Sequence, residues 1–170
     1  MDLRVLKGRI AEAVMEAMFR RAGYRVSRVG REAHIPALMR VGRGDYQPDF
    51  LLWKPEPGDP PDPHLHRVLA VEVKYRWNLA EFIRQELPSL ARDVRDQWPD
   101  LYYVLVTDNP EGERSCFQVF SVKDEPVASS FRNLHEVPAF DIYFSTVREY
   151  QNLVTAILGF LATYDRADVK

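Results

Sequence analysis

Leu3, Leu6, Ile10, Val14, Ala17 and Met18 recur at helical spacing, and Gly23 follows as a stop signal. This pattern predicts a helix over 3–22. The period then drops to two. "YRVSRV" (24–29) reads as a short strand, and "GDYQPDFLLW" (44–53) as a second strand led in by Gly44. "KPEPGDPPDPH" (54–64) is Pro-rich and breaks the pattern into a loop. A strand over 67–77 follows. Asn78 and Glu81 have the spacing of a capping box and open a helix near 79–98, which Pro88 must kink or divide. "LYYVLVTDN" (101–109) and "SCFQVFSV" (115–122) read as buried strands. Residues 123–139 read as loop with a short helix, and "FDIYFS" (140–145) as a last strand. Thr146 and Glu149 repeat the capping-box spacing ahead of a helix from 147 to about 164. The order helix, strands, helix, strands, helix predicts a mixed sheet flanked by helices, in the α/β class.

The chain has 170 residues and is 46% hydrophobic, enough for one domain with its own core. Residues 1–170 therefore read as a single domain, with 54–66 as a Pro-rich insertion. The longest apolar stretch, Leu153 to Tyr164, is too short and too interrupted to span a bilayer. No apolar segment of signal-peptide type opens the chain, and a single cysteine, Cys116, leaves no intramolecular disulfide and no Cys-rich metal cluster. A cytoplasmic protein with no membrane association is expected. The net charge of −2 hides an asymmetry. Residues 1–44 carry ten Lys/Arg against four Asp/Glu, net +6, and residues 45–170 carry net −8. The basic third can meet phosphate locally, or its arginines simply cluster on the surface.

"VLAVEVKYRW" (68–77) is the segment that carries chemistry. Side chains on a strand alternate, so Glu72 and Lys74 point the same way, with Ala70 and Arg76. Val71, Val73 and Tyr75 take the other face. A carboxylate in so apolar a strand is costly unless paired or metal-bound. The plain alternative is a same-face Glu/Lys pair on a half-exposed strand. Asp49, after Pro48, lies on the preceding strand. If the two strands pair, Asp49 and Glu72 converge within reach of one ion. Two carboxylates make a hard-oxygen site of the kind magnesium favours, and a divalent ion there polarises a phosphoryl oxygen. Lys74, one pleat along, is suited to orient an attacking water or offset charge in the transition state.

Pro48-Asp49 followed by Glu72-Val73-Lys74 resembles the signature of the PD-(D/E)XK nuclease superfamily, which has the restriction-endonuclease-like fold. "KGRIAEAVMEAMFRRAGYRV" (7–26) resembles the first helix of archaeal Holliday-junction resolvases and Mrr-type restriction endonucleases, where a K-G-x-x-x-E pattern opens the domain. The resemblance covers residues 1–107. It implies a central mixed sheet flanked by helices, and a Mg²⁺-dependent deoxyribonuclease in which Mn²⁺ can substitute. Asp49, Glu72 and the Val73 backbone carbonyl would hold the metal, and Lys74 would position the water. Glu12 would assist at the metal through a water or a second ion. The pathways it implies are DNA repair, recombination or defence.

Lys7, Arg9, Arg43 and Arg76 are the candidate DNA contacts, with solvent as the alternative for Lys7. On the helical wheel Glu12 lies near Arg9 and Glu16, away from the apolar stripe, so a solvated face is its other reading. Tyr46 and Gln47 precede the PD motif and can contact substrate. Trp77 either stacks on a base or fills a core or rim position. His64 and His66 form an H-x-H in the Pro-rich loop, without an evident third metal ligand. The last helix carries more apolar surface than one packing face needs, which means deep burial or a homodimer interface. The acidic balance after residue 44 points to a partner protein that supplies DNA affinity. A reading from another class also stands: a non-catalytic nuclease-like module that binds nucleic acid or scaffolds a partner.

Overall fold

A computed structural model of the protein describes residues 2–29, 46–54, 68–124 and 131–167. Six strands form one mixed sheet in sequence order: β1 (Arg25–Arg28), β2 (Phe50–Trp53), β3 (Leu69–Tyr75), β4 (Leu101–Val106), β5 (Phe117–Ser121) and β6 (Arg132–Asn133). All neighbours pair antiparallel except β3 and β4, which are parallel. A parallel pair needs a crossover, and α2 (Leu79–Gln85) with α3 (Leu87–Arg95) supplies it. Helices α1 (Leu3–Arg21) and α4 (Phe144–Ala167) complete the fold.

Strand alternation sorts the core into two layers. Phe50, Leu52, Val71, Val73, Val104, Val106, Phe117 and Val119 face α1 and α4, where Met15, Met18, Phe19, Val154 and Leu158 meet them. Leu51, Ala70, Tyr103, Leu105 and Phe120 face the opposite way, onto Leu79, Phe82, Leu87 and Val94 of α2 and α3. Both faces of the sheet are therefore covered. That explains why β3 and β4 read as near-continuous apolar runs rather than alternating ones.

Local chemistry sets the element ends. The Asp2 side chain accepts the Arg4 N–H at 2.9 Å and caps α1, whose last turn carries Arg20 and Arg21. Gly23 takes φ +90°, the left-handed conformation that glycine tolerates after a helix. Asn78 Oδ1 accepts the Glu81 N–H at 3.0 Å and starts α2. The chain then divides at Glu86, and Pro88 sits in the first turn of α3, where a missing N–H is harmless.

Three expected elements differ. Extended structure at 44–53 begins only at Phe50, and residues 44–45 lie outside the described residues. The strand expected at 140–145 does not form. Phe140 and Ile142 are buried against α1 and α4 while Asp141 and Tyr143 are exposed. The period-two pattern there reports one buried side of an unladdered segment, and Asp141 at φ +43° interrupts any extended run. Helix α4 starts at Phe144, so Thr146 and Glu149 lie within it and do not form its cap. The sixth strand comes instead from the 123–139 region, just before the 3₁₀ turn Leu134–Glu136. In α4, Val147, Val154 and Leu158 are buried, whereas Leu153 and Phe160 remain 45% and 69% exposed. No helix among the described residues is long and apolar enough to cross a membrane.

Phe19 ties the first layer together. It is fully buried, stacks on Phe140 at 5.7 Å, and meets Tyr24 and Phe50 edge-on. Phe19→Ala is expected to cost about 3–5 kcal/mol in urea unfolding, because the aromatic neighbours come from three separate segments and cannot collapse into the space together. A loss below about 1 kcal/mol would contradict this packing.

Candidate active site

The β2–β3 ladder ends with Phe50 opposite Val71. One more step in that register would set Pro48 opposite Val73. Pro48 has no N–H to give to the Val73 carbonyl, so the ladder cannot continue in the ordinary way. Instead, Asp49 Oδ2 accepts the Val73 N–H at 2.7 Å. The carboxylate stands in for a ladder acceptor, and β3 runs on to Tyr75 beyond the end of β2. The N–H and C=O of one strand residue leave on the same side. The Val73 carbonyl therefore faces the Asp49 side. The Asp49 backbone is fixed too, since its carbonyl accepts the Val29 N–H at 3.0 Å.

Glu72 is only 4% exposed. Its Oε1 accepts a hydrogen bond from the Lys74 ammonium, while Oε2 is buried with no hydrogen-bond partner. Lys74 keeps a third of its side chain exposed. The solvent-facing alternative does not apply to Glu72, which is buried on the face of β3 that Ala70 shares. Burial pushes the Glu72 carboxyl up to about 7, with the Asp49 charge adding to the shift and Lys74 opposing it. Asp49 is also raised, chiefly by burial, against the pull of the Val73 N–H and Lys74. Glu12 is half-buried and raised by burial and then by Asp49, with Arg28, Lys74 and Arg9 opposing. Glu12 is thus near enough to feel the Asp49 charge while part of it stays exposed. Three carboxyls and one ammonium share this corner, where β3 outruns β2.

Two tyrosines line the same corner. The Tyr46 hydroxyl donates to the Tyr103 hydroxyl at 3.1 Å, and the Tyr46 carbonyl accepts from the Trp98 indole at 3.1 Å. Burial and then the Glu72 charge push the Tyr46 phenol far up, so it stays protonated. Burial pushes Tyr103 to about 12. Tyr46 stood out in the sequence by its place before the PD motif. Tyr103 did not, because its position opposite Glu72 depends on the parallel β3–β4 register.

The other candidates are spread out. Lys7 lies 3.2 Å from the Tyr75 hydroxyl and 3.5 Å from Asp108, with 14% of its side chain exposed. Arg76 donates to Glu86 at 2.8 Å and to the Tyr75 carbonyl at 2.9 Å, and its guanidinium lies over the Phe82 ring. Both cations are engaged within the chain. Arg9 is exposed on α1, one turn before Glu12. Gln47 and Trp77 are exposed. Arg43, His64 and His66 lie outside the described residues.

No family model, no curated protein and no solved structure matches the chain.

The donor set at the corner is all oxygen: two adjacent carboxylates and the Val73 carbonyl. Among the described residues no group of three His, Cys, Asp or Glu side chains converges as a metal cluster, so Glu12 does not join Asp49 and Glu72 as a third direct ligand. The buried, unpartnered Oε2 of Glu72 and the mutual repulsion of the two carboxyls are what a hard cation would relieve.

Native Glu72 holds its proton more tightly than an ordinary glutamate at 4.5, so its ionisation opposes folding as pH rises from 4.5 through about 7. Glu72→Gln stays neutral. Without divalent ions, the difference in unfolding free energy should move in the variant's favour by on the order of 2 kcal/mol between pH 5 and pH 8. Urea midpoints at the two pH values measure this, and a difference that does not change with pH would refute the raised carboxyl.

Proposed function

We propose that the protein is a divalent-metal-dependent nuclease that hydrolyses DNA phosphodiester bonds, on a restriction-endonuclease-like fold of PD-(D/E)XK type. DNA repair, recombination or defence against foreign DNA is the setting that fits this activity. One observation carries the reading: the Asp49 carboxylate rests on the Val73 N–H, next to a buried Glu72 that holds Lys74. The residues of two separate short motifs thus meet at a single break in the sheet. The order from α1 through the β1–β2–β3 antiparallel strands to the β3–β4 crossover supports the fold assignment.

The residues present fit Mg²⁺, with Mn²⁺ as a substitute. Asp49, Glu72 and the Val73 carbonyl would hold it. Mg²⁺ needs only one or two carboxylates because it keeps several waters. When bound, such an ion supplies positive charge to a phosphoryl oxygen and makes water a better nucleophile at neutral pH. The chain's own residues do the rest. Lys74 reaches solvent from a tethered position and can orient the attacking water, then offset charge on the phosphorus-centred transition state. Glu12 borders Asp49 and acts through a water or a second ion. The α2 and α3 packing behind Glu72 excludes solvent and strengthens each of these electrostatic contacts. A homodimer through the exposed side of α4, and a partner protein that supplies DNA affinity, belong to the same reading.

A cleavage assay with Mg²⁺ and with Mn²⁺ tests it, using single-stranded, duplex and four-way-junction DNA and single-stranded RNA. Metal-dependent cutting of DNA is expected. Lys74→Ala and Asp49→Asn, whose amide oxygen can still accept the Val73 N–H, are each expected to lose at least about 100-fold in rate while keeping the wild-type circular dichroism spectrum. Failure to cut any substrate, together with no Mg²⁺ or Mn²⁺ affinity that depends on Asp49 and Glu72, would leave a non-catalytic binding module instead.

A further inference from the structure

Of the chain's three tryptophans, Trp53 and Trp98 are half-buried, but Trp77 is 56% exposed. Singly exposed rings are ordinary, and Tyr143 and Phe160 are more exposed still. This one is held. The Lys7 ammonium lies 5.9 Å from the Trp77 ring centroid and 5.3 Å from that of Tyr75. Lys7 is itself fixed by Asp108 and by the Tyr75 hydroxyl, which donates to Asp108 at 2.7 Å. The cation steadies the ring, and more than half of the residue stays open.

The position of the indole relative to the candidate site follows from both elements that hold it. Trp77 lies in the bend two residues past the end of β3 and three after Lys74, so its backbone is at most roughly 11 Å from that of Lys74. On α1, Lys7 precedes Glu12 by five residues, roughly 7.5 Å of helix. The platform is therefore within roughly 11 Å of Lys74 along the backbone, on the side of the sheet where α1 holds it.

A second observation narrows the ligand. Strong duplex binding draws on several cations free to meet phosphates. Here Lys7 is committed to Asp108 and Arg76 to Glu86, and residues 45–170 carry net −8. With these two cations engaged, the open charge described beside them is that of groups such as Arg9 and Lys74, and a further source of affinity adds to it. Stacking of a base on an aromatic face is that kind of term, and it needs a base that is not already stacked in a duplex.

We propose that Trp77 is a stacking platform for an unpaired base, so that the candidate active site takes single-stranded or frayed DNA rather than intact duplex. The inference rests on the nuclease reading above and deepens it by naming the substrate class.

The test is binding, measured apart from cutting. Fluorescence anisotropy of fluorescein-labelled dT oligomers, rU oligomers and a blunt duplex is recorded in EDTA for wild type, Trp77→Ala and Trp77→Phe. Wild type should bind dT saturably. Trp77→Ala should weaken dT binding by about ten-fold, Trp77→Phe should keep most of it, and duplex binding should not change. Lack of saturable dT binding by wild type, dT binding by Trp77→Ala within two-fold of wild type, or an equal loss on duplex would each overturn the proposal. An rU oligomer bound tighter than dT would overturn the assignment to DNA. The two readings fail separately. Wild type that binds dT through Trp77 but never cuts sinks the nuclease and keeps the platform. Wild type that cuts duplex as fast as single strands, with Trp77→Ala cutting both equally well, sinks the platform and keeps the nuclease.

Discussion

The geometry of the candidate site depends on one hydrogen bond, from the Val73 N–H to the Asp49 carboxylate. Pro48 has no N–H, so β2 cannot extend its ladder along β3. The next residue, Asp49, gives its side chain to the Val73 N–H at 2.7 Å. A buried strand N–H is thereby satisfied, which the fold requires. The same bond fixes a carboxylate beside Glu72 and turns the Val73 carbonyl toward an unladdered edge. A Pro-Asp step before a strand thus has a physical meaning of its own. Proline withholds the donor that the Val73 carbonyl would have met, and the aspartate side chain accepts the Val73 N–H while keeping one oxygen available.

That solution creates an electrostatic problem which only part of the fold answers. Glu72 is buried on the α2–α3 side, next to the Asp49 charge, and paired with Lys74. A buried ion pair is weak support for stability in general, since desolvation offsets the attraction. A second carboxyl nearby makes the balance worse. Apolar side chains would have filled this corner at lower cost, so its charges are better understood as serving a ligand than as serving the fold. Tyr46 and Tyr103 are consistent with that. Their hydroxyls satisfy each other at 3.1 Å, which lets polar groups line the corner without adding charge.

Much of this was legible in the sequence because it rests on local rules. The helical period of residues 3–22, the cap at Asn78, the division near Pro88 and the same-face placement of Glu72 and Lys74 all follow from spacing alone. Tertiary partners were not legible. The 140–145 segment alternates as a strand does, but its alternation buries Phe140 and Ile142 beneath helices instead of pairing with a neighbour. Tyr103 meets Glu72 only through a parallel register, which no turn residue encodes. Lys7 and Arg76 looked available for phosphate because their acidic partners, Asp108 and Glu86, are recognisable as partners only once the chain has folded. Glu12 lies off the apolar stripe on the helical wheel and is half-buried in the fold, where the Asp49 charge acts on it.

The fate of those two cations bears on what α1 contributes. Its inner face, with Met15, Met18 and Phe19, holds the sheet, and Glu12 borders the carboxylates. At its start, Lys7 is spent on Asp108, Tyr75 and Trp77 rather than left to solvent. A lysine used in this way gives up a phosphate contact and gains a fixed aromatic surface at the end of β3. For a duplex binder that exchange would be a loss, because its affinity comes from cations that meet the backbone. For a protein that holds unpaired bases it is a gain, because an immobilised ring loses less entropy on stacking than a mobile one. Helix α1 therefore joins the core, Glu12 and the exposed indole through one element.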